Sequence, residues 1–353
     1  MDLDACQDMA VGLVKELIRN PSVSREEKRA ADLMEEVLQK HDLTVRRKHH
    51  NVWTEHRVSD DKPNILLNSH LDTVKPVDGW KRDPFVPQVE GNRIYGLGSN
   101  DAGGPLVSLL ACFLNNAGRQ DLPYNLIFAA TAEEEISGDI GVACILNDLG
   151  KIDLGIIGEP TMNQMAVAEK GLMVIDGMGL GSSAHAATGK GINAIYEAMK
   201  DIDWISGYQF EKTSEWLGAV SMQVTMISSG TQHNVVPDQC SWVADIRTNE
   251  HYSNEAVFEV IKQNLNGEVR ARSFRLNPSF ISGEHPVVKR GTDMGLKSYG
   301  SLTLSDQALM SFPTLKMGPG DSSRSHTADE YICVDEIRQG ISYYIQLLEG
   351  LQI

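Results

Sequence analysis

The sequence predicts an α/β domain interrupted by a smaller α+β domain. Three observations carry this reading. At 353 residues the chain is longer than one ordinary core, so two domains are expected. Short, wholly apolar strands alternate with helical stretches in the N-terminal part, and the alternation returns near the C-terminus, as in a mostly parallel sheet buried on both faces. Between them the elements read β-α-β-β-α-β, the split-βαβ order of a small sandwich.

Taken in order, Ser24-Arg25-Glu26-Glu27 has Ser and Glu three apart and reads as a capping box, opening a helix through about Gln39. Asn64–Asn68, Tyr124–Ala130 and Leu154–Ile157 are apolar runs of strand length, and Pro105–Asn116 behind Gly103-Gly104 reads as a helix. The pattern changes near Gly171. Leu172–Leu180 reads as a strand, Ile192–Ile205 as a helix, Ala219–Ile227 and Gln239–Ile246 as strands, Asn254–Leu265 as a helix and Val269–Leu276 as a strand. After about Gly283 the helix–strand alternation resumes and ends in a helix over Val334–Leu351. The first domain therefore takes residues 1–171 and 283–353, and the insert takes 172–282.

Composition removes several functions. Acidic residues number 48 against 32 basic, a net charge of −16, so a uniform polyanion such as DNA is repelled. No apolar run reaches the roughly 18 residues that a membrane-spanning helix needs. The acidic start MDLDACQDMAVGLVKELI lacks a basic region and a small-residue cleavage site, so no secretion signal is expected. Five scattered cysteines without a CxxC pair argue against a disulfide scaffold or a thiolate zinc knot and for a reducing cytoplasm.

The chemistry is concentrated where strands end, the place where open α/β sheets collect ligands. Ile65-Leu66-Leu67 runs into Asn68-Ser69-His70-Leu71-Asp72. Gly96-Leu97-Gly98-Ser99-Asn100 leads to Asp101, which stands where the third glycine of a G-x-G-x-x-G loop belongs and so disfavours a dinucleotide site. Ile127 to Thr131 runs into Glu133-Glu134-Glu135, Ile156-Ile157 into Gly158-Glu159, and Leu315-Lys316-Met317 into a glycine loop and His326. Crowded carboxylates repel one another, and cations relieve that repulsion. Imidazole plus carboxylate suits a first-row divalent ion, with zinc the default. The +4 of two such ions is balanced by three carboxylates and a hydroxide, so a dinuclear hydrolytic site is expected. Each piece alone has a plainer reading: His-x-Asp as surface polarity, the Glu run as a solvated helix face.

In this order and spacing, SHLDTV (69–74), GLGSNDAGG (96–104), TAEEE (131–135), GEPT (158–161) and GPGDSSRSHTADEY (318–331) resemble the M20 family of metallopeptidases and deacylases over essentially the whole chain. The resemblance implies a zinc-peptidase-like catalytic domain with an inserted α+β, ferredoxin-like dimerisation or lid domain. It implies His70, Asp101 and Glu159 on one metal, and Asp101, Glu135 and His326 on the other, with Asp101 bridging. Glu134 falls on the family's general base, and Asp72 on the acid that orients a ligand histidine. Glu133, where the family often has Asp, reads as structural. The Lys often found two residues after the bridging Asp is Gly103 here.

In the insert, Ala184-His185-Ala186 resembles the lid histidine that, in dimeric members, reaches the partner's active site and helps stabilise the oxyanion. Asn234 and Arg247 fall in segments resembling those that hold substrate. Arg247 and Arg324 are candidates to pair with a substrate carboxylate, Arg324 equally with a structural partner. A lid that merely packs is the alternative for His185, Asn234 and Arg247. The resemblance points to a cytoplasmic homodimer holding two divalent ions, zinc or else cobalt. It would remove an N-acyl group from an amino acid, foremost Nα-acetylornithine (or an Nα-acyl ornithine or citrulline analogue) in arginine biosynthesis. Succinyl-diaminopimelate desuccinylase and an M20 dipeptidase or aminopeptidase are the alternatives.

Overall fold

Four strands run side by side and parallel in the order Asn125–Thr131, Asn64–His70, Leu154–Gly158 and Thr314–Met317 in the computed structural model, which describes residues 2–353. Almost every residue in them is buried, because helices or loops cover both faces. Antiparallel strands Asn51–His56 and Val45–Lys48 extend the sheet on one side. Val45–Lys48 is charged and alternates between half-buried and exposed, and Asn51–His56 is buried at first but mixes polar with apolar residues, so neither gives an apolar run and the sequence reading missed both. It also passed over the helix Leu3–Arg19, whose buried stripe is Cys6, Ala10, Leu13, Val14 and Ile18.

The helix Gly104–Asn116 lies on the three strands Asn64–His70, Asn125–Thr131 and Leu154–Gly158, and it is buried almost all round between them and the helices Leu3–Arg19 and Val334–Leu348. Gly158 permits this approach. A Cβ there would stand 2.7 Å from Leu109 Cδ1 and 3.0 Å from Ser69 Cβ. The opposite face packs Leu66, Ile127 and Ala129 against Ile145, Leu149 and Ile152. One expectation fails. The helix after Ser24 spans Lys28–Lys40, and its N-cap Glu27 makes no side-chain cap. The Ser24 and Glu27 side chains hydrogen-bond elsewhere, so the capping-box spacing is coincidental.

The chain divides into two compact units. Among the described residues the first comprises 2–167, 280–299 and 305–353, and the second comprises 168–279 and 300–304. The second unit has a four-stranded antiparallel sheet in the order Ser221–Ser229, Gln239–Thr248, Gly171–Leu180, Glu268–Ala271. Helices Ala194–Gly207 and Asn254–Asn264 are capped by Asn193 and Ser253. They bury a core centred on Trp242, Ile175, Ala198 and Val257. Gly177 leaves room for the Trp242 ring, which a Cβ would meet at 2.1 Å. The last strand stops at Ala271, short of the expected Leu276. Among the described residues no helix is long and apolar enough to cross a membrane.

Candidate metal centre

Because the four central strands are parallel, their carboxyl ends share one rim. His70 is the last residue of its strand, and its imidazole is buried. Glu134 and Glu135 open a single 3-10 turn after Thr131. Glu159 follows Gly158 directly. His326, with φ 58°, sits on the loop after Met317. Asp101 arrives from the irregular segment before the helix Gly104–Asn116, and its peptide bond to Ala102 is cis.

These side chains converge. His70 Nε2 lies 3.3 Å from Asp101 Oδ1, 3.7 Å from Glu159 Oε1 and 3.9 Å from Glu134 Oε2. His326 Nε2 lies 2.9 Å from Glu135 Oε2 and 3.6 Å from Asp101 Oδ2. Asp101 thus turns one oxygen to each imidazole. Two groups, His70–Asp101–Glu159 and Asp101–Glu135–His326, each offer three ligand atoms within 4.8 Å of one another. One imidazole and two carboxylates per group is a donor set suited to a divalent transition ion.

The surroundings hold this geometry. His70 Nδ1 faces the Asp72 backbone carbonyl at 2.9 Å and its carboxylate at 3.5 Å, so the short contact is to the main chain. With Nδ1 so engaged, Nε2 is left toward Asp101. Glu330, which the sequence reading overlooked, is 2 % exposed and accepts from the backbone N–H groups of Gly98, Asn100 and Asp101 at 3.1, 2.8 and 3.0 Å. It stands four residues after His326 inside the motif already singled out; its acidity next to a ligand was the available signal.

Electrostatics argue for bound cations. Burial pushes Glu159 up to about 8, with the Asp101 charge adding to the shift. Burial likewise lifts Glu134 well above the carboxylate range and, reinforced by Asp101, pushes Glu330 up to about 8. The hydrogen bond to Glu135 pushes His326 up to about 9. Burial alone would lower His70, but the Asp101 and Asp72 contacts overrule it and hold the imidazole well above its usual range. Without metal, the cluster therefore retains protons on groups that are better suited as ligands.

The remaining candidates have partners of their own. Arg324 forms a two-pronged ion pair with Glu336 at 2.8 and 2.9 Å and stacks on Tyr331, so the structural partner is the one present. Arg247 pairs with Asp245 two residues back on its own strand. His185 and Asn234 belong to the second unit, where Ala184–His185 pairs with Val235–Val236 and Ala186 N donates to Asn234 O. His185 Nδ1 accepts from Ala187 N at 3.2 Å, so Nε2 carries the ring proton.

The family model described as Peptidase family M20/M25/M40 matches residues 66–350. The chain is 27% identical over 351 residues to LysW-lysine/LysW-ornithine hydrolase of Sulfurisphaera tokodaii, covering 96% of this chain and 94% of that protein. It is 26% identical over 384 residues to succinyl-diaminopimelate desuccinylase of Dechloromonas aromatica, covering 98% and 99%. In fold it is similar to the aminopeptidase PepT from Bacillus cereus, with a TM-score of 0.76 at 19% identity and 98% of each chain covered. It is also similar to the dinuclear metal-binding M20 peptidase YXEP of Bacillus subtilis, with a TM-score of 0.75 at 15% identity, covering 99% of this chain and 100% of that one.

Proposed function

The chain belongs to peptidase family M20/M25/M40, whose members hydrolyse amide bonds, and from that premise we propose that it removes the acyl group from an N-acyl amino acid. One observation carries the reaction class. Asp101 is shared between two ligand groups, while Glu134 lies beside them and belongs to neither. His70, Asp101 and Glu159 would hold one divalent ion and Asp101, Glu135 and His326 the other, zinc by preference and cobalt as substitute. When bound, the two ions supply Lewis acidity and lower the pKa of a water to about 7.

Glu134 takes the proton of the attacking water and hands it to the leaving amine. Its buried setting suits this traffic, because burial lifts the carboxylate of the metal-free chain above its ordinary range, and a carboxylate so lifted is a stronger base. Asp72 and its carbonyl keep the His70 imidazole oriented. His185 Nε2–H is the donor to the oxyanion, delivered by the second unit of a partner subunit when that lid closes. Dimerisation through the second unit is supported by its open edge strand, where Met226 and Ile227 are 64% and 57% exposed. Tyr196 and Met199, 64% and 56% exposed on the helix Ala194–Gly207, add to that surface. Asn234 and Arg247 are the lid's substrate contacts in this reading, and Arg324 belongs to the structural pair with Glu336.

The substrate we favour is Nα-acetylornithine or a close Nα-acyl analogue, which places the enzyme in arginine biosynthesis in the cytoplasm. A relative covered to 94% whose name specifies lysine- and ornithine-linked substrates alike supports a basic amino acid as the amine half. Succinyl-diaminopimelate is the second reading, supported by a relative of that name matched end to end. The test is a panel of Nα-acetylornithine, N-succinyl-diaminopimelate and dipeptides, with zinc or cobalt added. Preference for a dipeptide over every acylated amino acid defeats the deacylase reading. Full turnover after chelation defeats the two-metal reading.

A further inference from the structure

The residues whose spacing resembles a helix cap turn toward the metal centre instead. Ser24 Oγ donates to Asp72 Oδ2 at 2.7 Å. Glu27 is fully buried, and its Oε1 accepts from Arg25 N at 2.7 Å and from Glu133 N at 3.2 Å. Its Oε2 meets His50 Nδ1 at 2.8 Å. The next two amides of the same turn, Glu134 N and Glu135 N, donate to Asp72 Oδ1 and Oδ2 at 3.0 and 3.2 Å. Three consecutive N–H groups are thus received by two carboxylates, Glu27 and Asp72. Glu27 belongs to the segment 22–27, and Asp72 is gripped by it. That segment is itself stitched down: Ser24 N donates to Thr73 O, Thr73 N to Ser22 O, and Ser22 Oγ to Leu71 O.

The turn needs such support. Glu133 has φ 56°, a left-handed backbone that costs energy for any residue bearing a Cβ. From it the Glu135 side chain reaches His326 and the Glu134 side chain reaches toward His70. A small rotation of this backbone would displace both carboxylates together, and a catalytic group moved by an ångström loses much of its effect.

We propose that Ser24 and Glu27, backed by His50, are positioning residues of the hydrolytic centre. They touch neither substrate nor metal. They hold the turn Glu133–Glu135 and the Asp72 carboxylate in the register that aims Glu134 at the reacting water and Glu135 at its ion. The effect on turnover rests on the amide-hydrolase reading above; the effect on metal binding does not.

The test compares Glu27→Ala, Glu27→Gln and Ser24→Ala in the full chain. Cobalt affinity, the visible spectrum of the cobalt-loaded protein, kcat and KM are measured on whichever N-acyl amino acid the wild type turns over. Glu27→Ala is expected to shift the cobalt spectrum, to weaken cobalt binding about 10–100-fold and to lower kcat by a similar factor with KM unchanged. Glu27→Gln keeps an oxygen that can accept both N–H groups, and it recovers most of the loss. Ser24→Ala removes one hydrogen bond to a buried carboxylate, lowers the melting temperature slightly and lowers kcat about fivefold with a smaller spectral shift. Wild-type cobalt spectra and affinities in both alanine variants overturn the proposal. If Glu27→Ala does not fold, Ser24→Ala decides alone: a shifted spectrum supports the proposal and a wild-type spectrum overturns it. A wild type that hydrolyses no amide, with a spectrum that still shifts in Glu27→Ala, defeats the hydrolase reading and leaves the positioning role standing.

Discussion

Loading the centre with metal must expel protons. In the metal-free chain the hydrogen bond to Glu135 pushes His326 up to about 9, and burial pushes Glu159 up to about 8. His70 is held well above its usual range by Asp101 and Asp72, against the effect of burial. His326 and Glu159 are thus protonated near pH 6–7, the shift of His70 runs the same way, and each group that holds a proton must shed it before giving a lone pair to a cation. Two protons for two ions, from His326 and Glu159, mean that the overall association constant rises at least roughly a hundredfold per pH unit there, or roughly tenfold per ion, and less steeply as Glu159 ionises. The same shifts fix the sign for stability. A group that holds its proton more tightly when folded stabilises the fold fully below its unfolded pKa and loses that contribution as pH rises through the folded value. The contribution from Glu159 therefore fades toward about pH 8 and that from His326 toward about pH 9. The metal-free protein should melt lower at pH 9 than at pH 6, and the gain in melting temperature on adding zinc should widen over that interval. Calorimetric titration of the stripped protein in two buffers of different ionisation enthalpy counts the protons. Release of fewer than one proton per ion at pH 7, or an affinity that ignores pH, would refute the reasoning.

Further outcomes follow from the same geometry. Glu134→Gln should retain both ions and lose about 10²–10⁴-fold in kcat, whereas Glu135→Gln should lose metal as well, as counted by elemental analysis; the reverse pattern would exchange the two roles. His185→Ala should bind metal normally and turn over poorly, and mixing it with inactive Glu134→Ala should restore some activity. No rescue, with subunit exchange confirmed by mass, would leave His185 as a packing residue. Arg324→Ala should lower stability by about 1.5–3 kcal/mol in denaturant titration, because Glu336 loses a charged partner at 2.8 Å, and it should leave KM unchanged. A raised KM at unaltered stability would instead make Arg324 a substrate contact.

What could be read from the sequence divides along physical lines. Buried parallel strands are apolar throughout, so Leu66, Ile127 and Ile156 announce themselves, and a polar residue just past such a run is conspicuous. That contrast pointed to His70, Glu134, Glu135 and Glu159, which the structure brings together with Asp101 and His326. Edge strands such as Val45–Lys48, whose residues alternate between half-buried and exposed, carry no such contrast. The supporting carboxylates were hidden for another reason. Glu27 and Glu330 work through the main-chain N–H groups of Glu133, Gly98, Asn100 and Asp101, and an amide leaves no mark on side-chain identity. Ser24 and Glu27 were misread because a local spacing rule competes with a tertiary contact 48 residues away in the case of Ser24 and Asp72.

The strand Thr314–Met317 fills the gap beside Leu154–Gly158 and is followed by the loop bearing His326. On the ribosome this has a consequence. Residue 314 is synthesised 156 residues after Gly158, since 314 − 158 = 156, and at about 5–20 residues per second the wait is roughly 8–30 s. During translation Leu154–Gly158 lacks its outer neighbour, and an unpaired apolar edge is an invitation to other nascent chains. The late position of His326 has a second consequence: a product cut short before residue 326 lacks one of the five candidate ligands, and the group Asp101–Glu135–His326 cannot assemble in it.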